Sequence, residues 1–241
     1  MRSQNLKPFL RVFTGAELIS LLTDSNHMMA SALRNAIHEN RLKIHGDVLD
    51  FGCGSKPYIQ EFKHCETYIG VDIEISGHNH ETSLIDIYYD GSHLPWPDET
   101  FDSVVAFEVF EHLPDPAKSL QEIKRVLKSN GVLLITVPFL YGEHEIPHDF
   151  QRWTSFGIEK FFEDMDFTDI QVSKINQTPV FAIQLFINVF MNKIKYHESR
   201  LLRVPFVPLI IVMNLSIGIL QTLLPKTPWF YSNILVTAKK S

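Results

Sequence analysis

Apolar positions along the first two thirds of the chain follow two alternating rhythms. From Ser25 to Asn40, Met28, Met29, Ala32, Leu33, Ala36 and Ile37 recur every three or four residues, the spacing of one face of an amphipathic helix. Gly46 breaks that rhythm, and Asp47-Val48-Leu49-Asp50-Phe51 reads as a short buried strand. Further strands are predicted at Tyr68-Ile69-Gly70-Val71, ending at Asp72, at Ser103 to Phe107 and at Gly131 to Val137. Between the last two, Ala117, Leu120, Ile123, Val126 and Leu127 keep helical spacing from Pro116 to Lys128, with proline at a favoured helix start and Asn130-Gly131 beyond the end. Thr154 caps a further helical run from Phe156 to Met165, and Ile170 to Val172 and Ile234 to Ala238 read as two more strands.

Apolar strands alternating with amphipathic helices imply βαβ units, hence an α/β fold on a mostly parallel sheet. Ligands of such sheets sit beyond the carboxyl ends of the strands. That rule selects Asp50 to Gly54, Asp72, Asp90, Phe107 to His112 and the residues from Val137 onward as the candidate site.

The last third departs from this pattern. Phe181 to Met191 is apolar except for Gln184 and Asn188, which form a polar line with Asn192. After the basic residues Lys193, Lys195, Arg200 and Arg203, no charge occurs from Val204 to Leu224, where Asn214, Gln221 and Thr222 fall near one side. Such a run reaches the length of a membrane span, but Pro205 and Pro208 should delay the helix, leaving about 24 Å against a hydrocarbon core of about 30 Å. The expected organisation is a single domain over residues 1–241. It has a helical lead-in (1–45), a core (46–176 and 229–241) and an apolar helical insertion (about 177–228). Peripheral or monotopic membrane contact through 181–224 and a buried lid or dimer interface are the competing readings of that insertion.

Composition narrows the partners. With 241 residues, 45% hydrophobic and 21% charged, the chain has the make-up of a packed globular protein. A formal net charge of -6 argues against nucleic acid as the main partner, which usually demands a basic footprint. The two cysteines, Cys53 and Cys65, form no C-x-x-C pair, so neither a zinc knuckle nor a disulfide framework is indicated and a cytoplasmic setting is expected. Near Phe9 to Phe13, Lys7 and Arg11 interrupt the apolar residues, so no secretory leader pattern is read.

The chemistry begins at Asp50-Phe51-Gly52-Cys53-Gly54, where a strand runs into a glycine turn that lets backbone approach a ligand closely. The dinucleotide pattern G-x-G-x-x-G/A fails at Pro57, which weighs against a nicotinamide-dependent oxidoreductase, and no G-K-[ST] follows. The stretch Val48 to Gly54 instead resembles the first motif of class I S-adenosylmethionine-dependent methyltransferases. Tyr68 to Asp72 is similar to that family's second strand, and Asp90-Gly91-Ser92-His93-Leu94-Pro95-Trp96 to Asp102 to its D-x-x-x-L-P-aromatic segment. Phe107 to Pro116 resembles the stretch after its fourth strand.

The resemblance implies a three-layer Rossmann-like methyltransferase fold, a mostly parallel seven-stranded sheet with an antiparallel last strand, and S-adenosylmethionine as cofactor. It implies a cofactor pocket of Asp50, Gly52, Gly54, Asp72 on the ribose, Asp90 with Gly91 at the adenine, and Phe107; Asp86 rivals Asp90. A hydroxyl acceptor needs a base, for which the candidates are Glu111, His112 and His148, with Asp149 orienting His148. His144, Arg152 and Trp153 are the expected acceptor-binding residues. The stretch Pro147 to Thr154 resembles a subgroup associated with bacterial cell-surface glycan pathways, which implies O-methylation of a small-molecule, sugar or lipid-linked acceptor. Glu108, Glu111 and His112 are spaced as in ubiquinone-pathway O-methyltransferases, where these side chains can hold a divalent cation. The commoner reading is that they shape the loop, and no metal is assigned. The rival function is a membrane-docked binding or scaffold protein that keeps this fold without turnover.

Overall fold

The structure, a computed structural model, describes residues 27–74, 83–185 and 207–241. The chain divides into two compact units. The described parts of the larger are 33–74, 83–175 and 232–241; those of the smaller are 27–32, 176–185 and 207–231.

The larger unit is built on strands β1 (Asp47–Phe51), β2 (Thr67–Ile73), β3 (Ile87–Tyr89), β4 (Phe101–Phe107), β5 (Leu127–Pro138), β6 (Phe167–Ile175) and β7 (Asn233–Lys240). They form one seven-stranded sheet in the order β3-β2-β1-β4-β5-β7-β6. Neighbours from β3 to β5 pair in parallel, whereas β7 is antiparallel to both β5 and β6. The expected α/β sheet with an antiparallel last strand is therefore present. The short β3 was missed because three residues are too few to show a periodicity.

The central strands read as continuous apolar runs because both faces of a parallel sheet are covered. Val48, Leu49, Val104, Val105, Leu133, Leu134 and Ile135 are all fully buried. Helix α1 (His27–Asn40) precedes β1, α2 (Pro116–Val126) lies between β4 and β5, and α3 (Ser155–Asp164) between β5 and β6. Asp115 caps α2 by accepting from the Lys118 N–H at 3.0 Å, with Pro116 at the first turn, and Leu120, Ile123 and Val126 face the core. The helix stops two residues earlier than its periodicity suggests, because Leu127 is already paired with Phe101 in the sheet. Thr154 caps α3 as expected, accepting from Gly157 N–H at 3.0 Å. Phe162 on α3 is fully buried between Phe161 and Phe167, with ring centroids 5.9 and 5.4 Å away.

In the smaller unit, α4 (Val207–Leu223) has Pro208 in its first turn, and its 17 residues agree with the shortened helix expected from the prolines. The rings of Phe181 and Phe230 meet at 6.3 Å. Gln184 and Asn214 are buried, while Val212, Leu215 and Leu223 are exposed at 59%, 47% and 72%. Among the described residues no helix is long and apolar enough to cross a membrane. The expectations for the N-terminal 26 residues and for Asn188, Asn192, Lys193, Lys195, Arg200 and Arg203 lie outside the described residues.

Removing a large aromatic from a core that cannot collapse leaves a cavity. Phe162→Ala should therefore lower the unfolding free energy by about 3–5 kcal/mol, read from the shift in the urea midpoint at unchanged slope.

Candidate active site

The chain leaves β1 through a turn hung from β2. The N–H groups of Gly52 and Cys53 both donate to the Val71 carbonyl, at 2.9 and 3.2 Å. Gly52 and Gly54 have φ of +70° and +47°, a region that L side chains rarely occupy. A Cβ on Gly52 would stand 2.6 Å from Val109 Cγ2, whereas one on Gly54 would meet nothing within 4 Å. Gly54 thus leaves an open approach to its backbone. Its N–H donates to Asp72 Oδ2 at 2.9 Å, while Asp72 Oδ1 accepts from the Ile73 N–H at 2.8 Å.

Beside this turn lies a cleft with about 500 Å³ of open space, lined by Phe51, Gly52, Asp72, Ile73, Tyr89, Glu108, Val109, His112, Leu113 and Glu145. Of the expected cofactor residues it gathers Gly52 and Asp72. Asp50 is turned into the core instead, 3% exposed, accepting from the Tyr68 hydroxyl at 2.7 Å. Burial pushes its carboxyl up to about 7 despite that bond and the nearby Lys56 ammonium. Asp90 is exposed and accepts from the Ser92 and His93 N–H groups at 2.8 and 3.1 Å; the Ser92 side chain first, then these backbone bonds, hold its carboxyl down to about 2, and Gly91 lies in the same turn with φ +79°. Phe107 is occupied with Tyr58 and Phe62, its ring 4.9 and 6.0 Å from theirs. Asp86 is engaged by the Lys56 ammonium and the Gly70 N–H. Ile73 and Tyr89 are the lining residues that fall outside the stretches selected from the sequence, whereas Val109 and Glu145 fall inside them without having been assigned a role.

The far wall carries the acids. Glu108 (φ +55°) accepts from Asn233 Nδ2 at 2.7 Å through Oε2, while its buried Oε1 has no hydrogen bond. Burial raises its carboxyl to about 7 against the bonds from Thr136 and Asn233 and the Arg152 charge. Glu111 is fully buried with neither carboxyl oxygen hydrogen-bonded, and burial followed by the Glu108 charge holds it well above the usual carboxylate range. His112 places Nδ1 2.7 Å from the His148 carbonyl and Nε2 3.7 Å from Glu111 Oε1 and 3.9 Å from Glu145 Oε2. The expected i, i+3, i+4 helix face over Glu108 to His112 does not form: only Phe110–His112 makes a single 3-10 turn. The metal-ligand types that do converge are Glu111, His112 and His144, with one ligand atom from each within 4.8 Å of the others.

The loop after β5 corrects several expectations. His148 is exposed, and it is its backbone carbonyl that reaches His112. Asp149 holds His144 rather than His148, accepting its N–H at 2.9 Å and lying 3.2 Å from its Nδ1. Arg152 closes a two-bonded pair on Asp149 at 2.5 and 2.6 Å and also donates to the Tyr141, Gly142 and Gln151 carbonyls, so its guanidinium fixes the loop. Asp149 stays at about 2 although burial opposes this, because Arg152 and His144 bind the carboxylate. Trp153 packs on Phe161, centroids 4.9 Å apart. Tyr141, Glu143, Asp149, Phe150, Gln151 and Arg152 line a second, open surface pocket.

Comparison with known proteins agrees with this architecture. Residues 25–170 match the profile of the methyltransferase domain. The chain belongs to the methyltransferase-domain family. A probable S-adenosylmethionine-dependent methyltransferase of Mycobacterium tuberculosis is 35% identical over 98 residues, covering 38% of this chain and 35% of that protein. Another of Mycolicibacterium smegmatis is 32% identical over 144 residues, covering 56% of this chain and 54% of that protein. The chain thus matches between about a third and about half of the length of these relatives. Haemonchus contortus phosphoethanolamine N-methyltransferase 2, solved with S-adenosyl-L-methionine, shares the fold at TM-score 0.51 and 16% identity, covering 95% of this chain and 60% of that one.

The cofactor of this methyltransferase domain is S-adenosylmethionine, and the residues present fit it. Gly54 offers backbone with no side chain in the way, Asp72 presents a carboxylate to hydroxyl donors, and Tyr89, Ile73 and Val109 supply apolar surface. Asp50 makes the domain's stability depend on pH. Its carboxyl binds a proton more tightly folded, at about 7, than unfolded, near 3.8. Stability from this group is therefore lost as pH rises from about 4 to about 7 and stays lost above. Asp50→Asn keeps an acceptor for Tyr68 without the charge, and should raise stability by about 1–4 kcal/mol at pH 8 and little at pH 4, read by denaturant titration at both pH values.

Proposed function

We propose that the protein transfers a methyl group from S-adenosylmethionine to an oxygen of a small-molecule, sugar or lipid-linked acceptor. When bound, the cofactor supplies an electrophilic methyl on a sulfonium, which an acceptor lone pair takes by in-line displacement. The observation that carries this reading is the cleft itself. The glycine turn and Asp72 form one wall, and Glu108, His112 and Glu145 form the other. Glu108, whose carboxyl burial raises to about 7, lines the cleft and would take a proton from an acceptor hydroxyl. The glycan-linked choice of acceptor rests on the resemblance of Pro147 to Thr154, and the second cavity beside Arg152 would hold the rest of the acceptor.

Calorimetry with S-adenosylmethionine tests the first step. Saturable binding by the native protein is expected, and Asp72→Ala should weaken it roughly tenfold or more, the worth of a hydrogen bond to a charged group. A folded sample without cofactor binding would refute the reading.

Membrane-surface contact is the second part of the proposal. A helix in water mostly exposes polar side chains; α4 buries Asn214 together with Ile217 and leaves Val212, Leu215, Ile219 and Leu223 exposed. That exposed apolar surface suits a helix lying in a lipid interface, with Trp229, 73% exposed, as an aromatic anchor. The protein should co-sediment with anionic vesicles, and the double variant Val212→Lys/Leu223→Lys should remain in the supernatant. Equal sedimentation of both would exclude α4 as the contact.

A further inference from the structure

Two histidines beside the cleft have each lost one ring nitrogen to the protein. The His148 carbonyl can only accept, so His112 donates to it through Nδ1–H at 2.7 Å and keeps its lone pair on Nε2. His144 Nδ1 faces two more acceptors, Asp149 Oδ2 at 3.2 Å and the Gly142 carbonyl at 3.3 Å, which leave Nε2 as its lone-pair atom. An imidazole whose outer nitrogen is tied to a carbonyl or carboxylate is oriented and made more basic for metal ligation.

What the inner nitrogen of His112 faces is a carboxylate with no donor. Glu111 has 0% side-chain exposure, neither oxygen is hydrogen-bonded, and Oε1 lies 3.7 Å from His112 Nε2. Glu145 Oε2 approaches the same nitrogen at 3.9 Å. A lone pair between two carboxylates repels both unless a proton or a metal cation stands among them. Among the described residues Arg152 is the one guanidinium facing Glu108, Glu111 and Asp149, and Asp149 already binds it on two sides. The neighbourhood is therefore short of positive charge where Glu111, His112 and His144 converge within 4.8 Å.

We propose that Glu111, His112 and His144 bind one divalent first-row transition ion of the zinc class, with Glu145 or an acceptor oxygen completing its shell. Two imidazoles and a carboxylate suit such an ion better than magnesium or calcium, which prefer oxygen. Three protein ligands with an open position mark a site that polarises a ligand rather than a purely structural one. Ligand atoms about 2.1 Å from an ion stand about 3.4 Å apart, so the longest separation closes by about 1.4 Å on loading. This set differs from the one suggested by spacing alone, because Glu108 is held by Asn233 and the third ligand comes from the loop after β5. Any role for the ion in binding an acceptor hydroxyl rests on the methyltransferase reading; the binding itself does not.

The full chain, stripped with chelator, would be titrated calorimetrically with Zn²⁺ and, separately, with Co²⁺, whose visible absorption reports nitrogen and oxygen ligation. One equivalent is expected, weakened about tenfold or more in Glu111→Gln and in His144→Ala and unchanged in His148→Ala, whose side chain is not a ligand. Glu111→Gln preserves size, and thermal unfolding confirms that each variant is folded. No saturable binding, or equal binding by all the variants, which would mean surface histidines only, overturns the proposal. S-adenosylmethionine binding by the metal-free protein is measured in parallel. Cofactor binding without metal binding would defeat this inference alone, and the converse would defeat the function reading alone.

Discussion

Everything at the candidate site depends on how the chain leaves β1. Two backbone positions in the left-handed region, Gly52 and Gly54, would be free to take other conformations were they not tied from outside. The Val71 carbonyl holds the first N–H groups of the turn and Asp72 holds the last, so β2 and its terminal carboxylate shape a loop that β1 begins. Val109, from the loop after β4, closes against Gly52 and leaves no room for a side chain. Three parallel strands thereby meet at one point, which is why the cleft opens at their carboxyl ends.

A second constraint is acid held away from water. Asp50, Glu108 and Glu111 are all raised by burial, yet their surroundings differ. Tyr68 satisfies Asp50 inside the core, Asn233 satisfies half of Glu108, and nothing donates to the Glu111 carboxyl. Buried ionisable groups without partners are costly and cluster at functional sites. The gradient from Asp50 to Glu111 therefore separates a group that serves the core from groups that serve the cleft. Asp149 and Arg152 show the opposite case: a fully engaged pair that stiffens the loop carrying His144.

Much was legible in the local pattern. Alternating rhythms were enough for the central strands and the α2 and α3 helices, and the caps at Asp115 and Thr154 follow from neighbouring residues. The glycine turn and Asp72 were legible because backbone conformation and a strand-terminal acid are short-range features. Asp90 and Gly91 show the ambiguity of the same logic, since an Asp-Gly pair reads equally well as a ligand contact and as the exposed turn it forms.

What the sequence by itself determined is the periodicity, the turn chemistry and the order of the motifs, because each depends on residues a few positions apart. Only the tertiary structure decided which side chains face one another. Asn233 reaches Glu108 because β7 runs antiparallel to β5, so its first residue starts where the parallel strands end. His144 rather than His148 joins His112 because Asp149 and a single carbonyl fix the loop. The outward apolar face of α4 was likewise undecided: composition showed a polar line, but only packing shows that Asn214 lies inside. Contacts between residues far apart in the chain depend on strand direction and loop anchoring, and no local spacing encodes either.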